Sequence, residues 1–433
     1  MRLKITLFIS LLFQLFLVIR VTNPTLPLTP LTILLVLGSV NLLMNRKYIT
    51  LGIPLKISLV FFSYILIKVI ADYFKTDEFP GVASMIGHLA VVVYLMNCAL
   101  LVQEKHTKIL LRSFFIVSLI SLAYGLLVFF IGTPFSEIRM LLFEQEIPRN
   151  LSNLNPIYSS KSTPITGLSS TVFAFSYVIS ALFVFSLYYL EKNRNLWFFL
   201  LFILVTVGLL LNGERAGFVA ALLAGYLFIK KKVSFKLVFL ISIFFILIFL
   251  ITSNISFKSE NHQPSFARLI NTSISEEPDD FIPRIKRQVA GFITVLQNPV
   301  FGATQSEYLS VKSFHFSEDD FTKVASHNAY INVGIHTGLF GWILLLLLFS
   351  YIIQMMRWIK INSDFLTLEQ PAILKLLSFS LLAPLLNAFF HNAGILNSCE
   401  PASIVILGIL IQNYSFNVHK LIDSGEPPFS QLS

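Results

Sequence analysis

Four side chains in this sequence have the types needed to hold an anion and to remove a proton. His327 opens the stretch SHNAYINVGIHTGLFGW, which joins a long polar loop to an apolar run. A histidine titrates near neutral pH and can act as a general base toward a hydroxyl group. Arg215, Arg284 and Arg287 carry planar guanidinium groups, which stay charged and fit phosphate oxygens. Together these residues could hold an anion and activate a hydroxyl group.

The position of Arg215 is constrained by the short hairpin that contains it. Residues 196–229 lie between the basic clusters EKNRN (191–195) and KKK (230–232). As helix they rise roughly 51 Å, whereas two crossings of the hydrocarbon need about 60 Å. The tip NGERAGF therefore cannot project far into water, and an arginine held there is a functional candidate. The alternative is a structural role, in which Arg215 reaches the interface with Glu214 as its partner.

The outer loop from residue 253 to residue 327 contains a second candidate region. Its centre, PRIKRQVAGFITVLQNPVFG (283–302), predicts an amphipathic helix that starts at Pro283 and stops in the NPVFG turn. The apolar stripe of this helix consists of Ile285, Val289, Phe292, Ile293 and Leu296.

The first turn of this loop helix is unusually basic. It contains Arg284, Lys286 and Arg287, and cations at the start of a helix oppose its dipole. Either Asp279 and Asp280 upstream compensate for them, or a bound anion does.

Composition places the chain in a lipid bilayer. Of its 433 residues 55% are hydrophobic and 13% are charged, and 43 are Phe. Apolar runs of roughly 17 to 25 residues recur, each long enough to cross the hydrocarbon as a helix. They lack the alternation of a membrane barrel, so we predict an all-α, polytopic integral membrane bundle of about 12 transmembrane helices. The predicted spans are 5–20, 26–44, 53–71, 82–102, 109–131, 165–190, 196–212, 215–229, 234–252, 329–351, 371–390 and 400–416.

Lys and Arg cluster in alternate connections between these spans. One side of the membrane receives Arg2, Lys4, Arg46, Lys47, Lys105, Lys108, Lys192, Arg194, Lys230, Lys231, Lys232, Arg357 and Lys360. By the positive-inside rule that side is the cytoplasm, so we predict cytoplasmic termini. Topology accounts for the net charge of +9, and no nucleic acid is expected as a partner. Three parts follow: a bundle over 1–252 (spans 1–9), a largely helical outer cap over 253–327, and spans 10–12 with a cytoplasmic tail over 328–433.

Four further residues are expected to support the site. Glu214 neighbours Arg215, Asn328 follows His327, and His391 ends a span on the outer side. Gly338 is small enough to let the helix start press closely on its neighbours or on a ligand. No cluster of carboxylates or cysteines has the spacing of a metal site, so we predict neither a metal nor another cofactor.

The order of these motifs resembles a family of bacterial membrane glycosyltransferases. Arg215 lies at a short outer turn, Arg284 stands fifteen residues before Pro299 in a large outer loop, and His327 opens HNAYINVGIHTGLFG. This pattern resembles the O-antigen ligase and O-antigen polymerase family over roughly 160 to 345. The chain departs from the family pattern at Gln288, Thr304 and Gln305.

The resemblance implies transfer of a glycan from undecaprenyl diphosphate at the periplasmic face of the bacterial inner membrane. The acceptor would be lipid A core for a ligase, or another undecaprenyl-linked repeat for a polymerase. His327 would be the general base, Arg215 with Arg284 or Arg287 would hold the diphosphate, and the anomeric carbon would invert without a metal. A dominant outer loop and about twelve spans favour the ligase.

A transporter or lipid flippase is the alternative from another class. Such proteins are also polytopic, with charges inside their spans. Against it, the sequence shows no inverted repeat, and its polar signals concentrate at the outer face rather than at the midplane.

Overall fold

The computed structural model describes residues 2–19, 30–48, 53–76, 82–131, 135, 165–169, 172–229, 281–316, 326, 328–361, 369–391 and 401–423. His327, Asp279 and Asp280 lie outside these residues, as do the side chains of Arg215 and Arg284. The described helices are α1 (Arg2–Val18), α2 (Pro30–Asn45), α3 (Ile53–Thr76), α4 (Val82–Ala99), α5 (Glu104–Phe130), α6 (Val172–Asn193), α7 (Leu196–Leu211), α8 (Arg215–Ile229), α9 (Phe281–Gln297), α10 (Gln305–Phe316), α11 (Ala329–Ile361), α12 (Gln370–Asn387) and α13 (Pro401–Asp423). Short 3-10 turns follow α2 and α12, and the described residues contain no strand.

The helices coincide with the apolar runs of the sequence. Each predicted span that falls within the described residues is helical, whereas 234–252 lies outside them. Five described helices are long and apolar enough to cross a membrane: 104–130, 173–193, 329–361, 370–390 and 401–420. Three shorter apolar helices cover 86–99, 196–211 and 216–229. The chain is therefore a helical protein with the features of a membrane bundle, and the count of twelve spans stays a prediction.

Two boundaries differ from the predicted ones. Residues 165–169 form a turn rather than the start of the span predicted over 165–190, and α6 begins only at Val172. Helix α11 continues to Ile361, ten residues beyond its predicted end at 351, because its apolar face continues to Trp358 and Ile359.

Helices α6, α8, α12 and α13 form the centre of the bundle. Helix α12 packs against α6, α8 and α13. Every residue from Pro401 to Asn413 in α13 is buried, as expected of a helix that is apolar on all sides. Polar side chains join neighbouring helices: Asn41 Nδ2 donates to Asn97 Oδ1 at 2.8 Å, and Gln412 Nε2 donates to the Leu101 carbonyl oxygen at 3.1 Å. Such bonds substitute for water where none is available.

Basic residues of different connections meet at one end of the bundle. Glu369, just before α12, lies 2.7 Å from Lys108 Nζ and 3.5 Å from Lys192 Nζ. The hydrogen bond from Lys108, helped by the charge of Lys192, holds the pKa of the Glu369 carboxyl below its ordinary value. The connections next to α5, α6 and α12 therefore share one end, as the alternation of basic residues predicts. The turn between α7 and α8 and the end of α12 lie at the other end.

The described part of the outer loop is a pair of helices, α9 and α10, and α9 packs along α11. The predicted helix over the 283–302 segment is present but begins at Phe281, two residues before Pro283. Arg287 is consequently in its second turn, where the helix dipole acts on it less. Thr304 precedes α10, where its backbone N–H donates to Glu307 Oε2 at 2.7 Å while the Glu307 N–H donates to its hydroxyl at 3.3 Å. This departure from the family pattern is thus a capping box that starts α10.

Candidate functional site

The turn that carries Arg215 is packed inside the bundle end. Asn212 is fully buried, and its Nδ2 donates to the carbonyl oxygen of Ile165 at 2.7 Å. The N–H of Ile165 donates in return to the carbonyl oxygen of Leu211 at 3.1 Å. Gly213 adopts a φ of 76°, which favours glycine and lets the chain reverse direction before α8. The tip therefore stays within the protein, as the hairpin length predicts, and Arg215 is the first residue of α8.

Glu214 and His391 form a pair next to this position. His391 Nε2 lies 3.7 Å from Glu214 Oε2, with 7% and 17% of the two side chains exposed. The imidazole also packs against Phe173 and Tyr177, with ring centroids 5.1 and 5.9 Å apart. Two residues predicted to support the site are thus in reach of one another, beside the N-terminus of α8.

Small residues hold the start of α8 against α6 and α12. Asn387 Nδ2 donates to Ser176 Oγ at 2.8 Å. A Cβ atom on Gly217 would lie 3.0 Å from the Cβ of Ser176 and 3.5 Å from Asn387 Nδ2. The space beside Gly217 is therefore filled by helix packing, which fixes the position of the Arg215 backbone.

The outer loop docks into a break in α11. Gly338 has a φ of 67°, so the helical bond from the Leu339 N–H to the Ile335 carbonyl oxygen is absent. The Leu339 N–H donates instead to the carbonyl oxygen of Pro299 at 2.7 Å, and the Ile335 carbonyl oxygen accepts from the Ala303 N–H at 2.6 Å. The loop thus supplies one acceptor and one donor to α11, so the backbone groups that the break frees are satisfied without water.

Two glycines make this exchange sterically possible. A Cβ on Gly338 would lie 2.5 Å from the Pro299 oxygen, and one on Gly302, which has a φ of 69°, would lie 2.6 Å from the Ile335 oxygen. Tyr64 of α3 strengthens the junction, since its Oη lies 3.0 Å from the carbonyl oxygens of both Val300 and Thr337. Gly338 therefore serves close backbone contact, one of the two roles expected of it.

The residues on either side of position 327 are anchored. Ser326 is buried, and its Oγ donates to Asn332 Oδ1 at 2.7 Å. Asn328 Oδ1 accepts from the N–H groups of Tyr330 at 3.0 Å and Ile331 at 3.2 Å. Asn328 is thus the N-cap of α11, which satisfies donors that a helix start leaves open. The chain enters and leaves position 327 at fixed points.

Arg287 lies on the face of α9 that packs toward this segment. Only 4% of its surface is exposed, and Tyr308 Oη donates to its carbonyl oxygen at 3.3 Å. One turn further along α9, a Cβ on Gly291 would lie 3.4 Å from the Cβ of Ser326. The face of α9 that carries Arg287 therefore packs toward Ser326. Position 284 lies one turn before 287 on the same side of the helix.

Two buried lysines lie in helices that pack against α9 and α11, and the sequence does not single out Lys312, the first of them. Lys312 has 2% of its surface exposed and lies one turn beyond Tyr308 on the same face of α10. Lys68 has 9% exposed and lies one turn beyond Tyr64 on α3. Lys312 therefore lies on the face of α10 that carries Tyr308, whose hydroxyl donates to the Arg287 carbonyl oxygen. A lysine in a short loop helix gives no signal of burial in the sequence, because the helix itself is barely amphipathic.

Tyr330, near the start of α11, packs against the end of α12 that carries His391. Its Oη donates to the carbonyl oxygen of Leu385 at 2.8 Å, and its ring packs on Phe389 with centroids 4.2 Å apart. Phe389 stands two residues before His391, and Tyr330 two residues after Asn328. Glu214, His391, Asn328 and the backbone of Arg215 thus lie at one end of the bundle. Among the described residues no group of three His, Cys, Asp or Glu side chains could hold a metal ion.

Comparison with known proteins agrees with this arrangement. Residues 199–346 match a family model described as O-antigen ligase. The match runs from α7 to the first half of α11, so it includes the α7–α8 turn, the docked loop and the break at Gly338. No curated protein matches the chain. The resemblance expected over roughly 160 to 345 is confirmed for most of that range, since residues 199–346 of the chain are similar to the O-antigen ligase family.

Proposed function

We propose that the chain is a ligase-type glycosyltransferase that moves a glycan from undecaprenyl diphosphate to a lipid A core acceptor. The family match supports a function of the O-antigen ligase or polymerase type. The observation that carries the finer proposal is the burial of Arg287 on the loop face that contacts Ser326, beside position 327. This burial supports the proposal, because it puts the Arg287 guanidinium on the helix face that packs toward Ser326, the residue before His327.

We infer that this site faces the periplasm from the bacterial inner membrane, with both termini in the cytoplasm. The contacts of Glu369 with Lys108 and Lys192 gather basic connections at one end of the bundle, which the positive-inside rule assigns to the cytoplasm. The Glu214–His391 pair and the docked loop lie at the opposite end.

In the proposed reaction an acceptor hydroxyl oxygen attacks the anomeric carbon of the donor glycan. The new C–O bond forms as the bond from that carbon to the diphosphate oxygen breaks, and the diphosphate leaves with the electron pair. The hydroxyl proton passes to the imidazole of His327, acting as general base. A single displacement of this kind inverts the anomeric configuration.

The departing diphosphate gains negative charge, and arginines stabilise that charge best where water is excluded. Arg215, at the start of α8, and Arg287, buried in α9, are the residues proposed to hold it, with Arg284 one turn earlier on the same side of α9. The start of α8 adds its helix dipole. Because these groups supply the positive charge, the proposal needs no metal or other cofactor.

Glu214 and His391 are proposed to orient Arg215, and Asn328 and Gly338 to set the path of the chain through position 327. Glu214 lies directly before Arg215 in the chain, and its carboxylate is 3.7 Å from His391 Nε2. Asn328 caps α11, and Gly338 admits the loop. None of these four needs to touch the reacting atoms.

The decisive experiment is an in vitro transfer assay with a lipid-linked glycan donor and a lipid A core acceptor. We expect His327→Ala and Arg215→Ala to abolish transfer at normal protein levels, and Arg215→Lys to impair it, since an ammonium cannot reproduce the bidentate grip. Lys360→Gln, exposed at the far end of α11, is the control and should transfer normally. Retained transfer in both alanine variants would remove these roles. Full activity in a chelator is also expected.

A cellular experiment distinguishes the ligase from a polymerase. Loss of a ligase leaves long lipid-linked glycan unattached, whereas loss of a polymerase leaves single repeats. Long chains on the lipid carrier are the expected result, and single repeats would assign the chain to the polymerases.

A further inference from the structure

Helix α9 exposes the apolar stripe that would ordinarily face the protein interior. Between 43% and 55% of Ile285, Val289, Phe292 and Leu296 is exposed, and Val300 and Phe301 just after the helix are 58% and 67% exposed. These side chains lie on one face, since their spacing follows the helical repeat. An exposed apolar patch of this size marks a surface that meets another apolar phase.

The opposite face of α9 is the one that packs on the protein. Arg287, Ala290, Thr294 and Val295 are between 0% and 4% exposed, and Gly291 contacts Ile331 and Ile335 of α11. Polar and small residues thus face inward, while large apolar residues face outward. This orientation is the reverse of that of an amphipathic helix at a water-facing surface.

The exposed stripe continues onto the outer faces of the membrane helices. Phe292 stacks on Trp342 of α11 with ring centroids 6.1 Å apart, and one turn beyond Trp342 lies Leu346, which is 65% exposed. Beyond the C-terminal end of α9, the carbonyl oxygen of Val300 accepts a hydrogen bond from Tyr64 of α3. Ile67, one turn further along α3, is 63% exposed. Helix α11 has the length and apolarity of a membrane span. The face of α9 therefore forms one apolar surface with helices that lipid surrounds.

We propose that α9 lies in the bilayer, with its face of Ile285, Val289, Phe292 and Leu296 covered by the acyl chains of the membrane lipids. The residues of this face carry no charge, as burial in hydrocarbon requires. The loop helix is then a membrane-embedded element rather than part of a cap in water. Its inward face holds Arg287 at the level where lipid headgroups meet the hydrocarbon, so a lipid-linked diphosphate reaches it without leaving the membrane.

Site-directed spin labelling of the full chain in lipid nanodiscs tests this placement. With Cys98 and Cys399 replaced by Ala and Ser, single nitroxides are attached at Val289→Cys, Phe292→Cys and Leu296→Cys. Leu346→Cys on α11 is the lipid-facing control, and Asn193→Cys, exposed at the end of α6, is the aqueous control. Faster spin relaxation of the nitroxide by molecular oxygen indicates that the label lies in hydrocarbon. Faster relaxation by a water-soluble nickel complex indicates that it lies in water.

We expect all three α9 labels to match the Leu346 label, with strong relaxation by oxygen and little by nickel. Relaxation by nickel equal to that at Asn193 would place the helix in water and overturn the proposal. Exclusion of both reagents would show that protein covers the face, and dipolar broadening between labels would identify that protein as a second copy. Either result also overturns the proposal. Since no substrate is present, the measurement stands or fails independently of glycan transfer.

Discussion

The backbone N–H of Leu339 donates to the carbonyl oxygen of Pro299 at 2.7 Å, where an unbroken helix would have used the oxygen of Ile335. Together with the bond from Ala303 to Ile335, this contact makes the outer loop part of the hydrogen bonding of α11. The loop and the span thus form one structural unit, and the residues around position 327 are held between them.

Alanine at Gly302 or Gly338 should therefore separate the loop from the span. Each adds a Cβ within about 2.6 Å of a backbone carbonyl oxygen and forces an L residue into the left-handed region, at a cost of several kcal/mol. We expect a lower melting temperature in detergent and faster cleavage of the loop by trypsin. Ser310→Ala, exposed on α10, is the matched control and should behave as the parent protein. Unchanged cleavage in both glycine variants would contradict the docking.

Substitution of Arg287 should lower the rate of glycan transfer strongly while changing the stability of the fold only slightly. We expect Arg287→Lys to keep most of the stability, because a cation and a long apolar stem remain, yet to lower kcat/KM about 100-fold through loss of the bidentate donor. The transfer assay together with thermal unfolding measures both effects. A lysine variant with parental activity would exclude a guanidinium role for Arg287.

Lys312 is expected to contribute positive charge beside Arg287. Its replacement by Met keeps the buried stem but removes the charge. We expect the KM for the lipid-linked donor to rise about tenfold, with a smaller effect on kcat. Lys312→Arg should restore part of the affinity. Steady-state kinetics over a range of donor concentrations gives the two constants. If the Met variant keeps its KM, Lys312 has a structural role only.

Glu214 and His391 should act as a unit. We expect Glu214→Gln and His391→Gln each to lower kcat roughly tenfold, and the double variant to be no worse than the poorer single variant, since each change breaks the same contact. The transfer assay on the double-mutant cycle measures this coupling. Effects that simply multiply would show that the two side chains work separately.

Glu369→Gln, at the basic end of the bundle, should change stability slightly and activity not at all. The pair with Lys108 is 48% exposed on the glutamate side, so the loss at neutral pH is at most about 1 kcal/mol. Because the pKa of Glu369 is lowered in the folded chain, the contribution is present above its ordinary value of about 4.3 and disappears as the pH falls through the folded value. The unfolding curves of the variant and the parent protein should therefore differ slightly at pH 7 and coincide under acid conditions.

Much of the architecture follows from local sequence. Length and apolarity predict the helices, and the hairpin length of residues 196–229 predicts that Asn212 is buried. The resemblance to the O-antigen ligase family also rests on local motifs, and the match over residues 199–346 confirms it for that segment. The position of the loop helix along the chain follows from its apolar period and the NPVFG stop.

What local sequence could not predict is which face of α9 turns inward. An apolar stripe identifies a helix but does not say whether protein or lipid covers it, since both are apolar. The sequence also does not distinguish Arg287 from Arg284, because the two residues lie one turn apart in the same basic segment. The burial of Lys312 and the pairing of Glu214 with His391 depend on contacts between distant segments, which spacing along one helix does not encode.

The exchange of partners at Gly338 also constrains how the protein is made. Translation delivers Pro299 and Ala303 before Ile335 and Leu339, so the loop has been synthesised before α11 enters the membrane. When α11 inserts, Pro299 and Ala303 are available to bond with the Leu339 N–H and the Ile335 carbonyl oxygen. Without them these two backbone groups would have no hydrogen-bond partner in the hydrocarbon. Reordering the chain by circular permutation between these segments would deliver the span first, and its insertion would fail even though every final contact were still available.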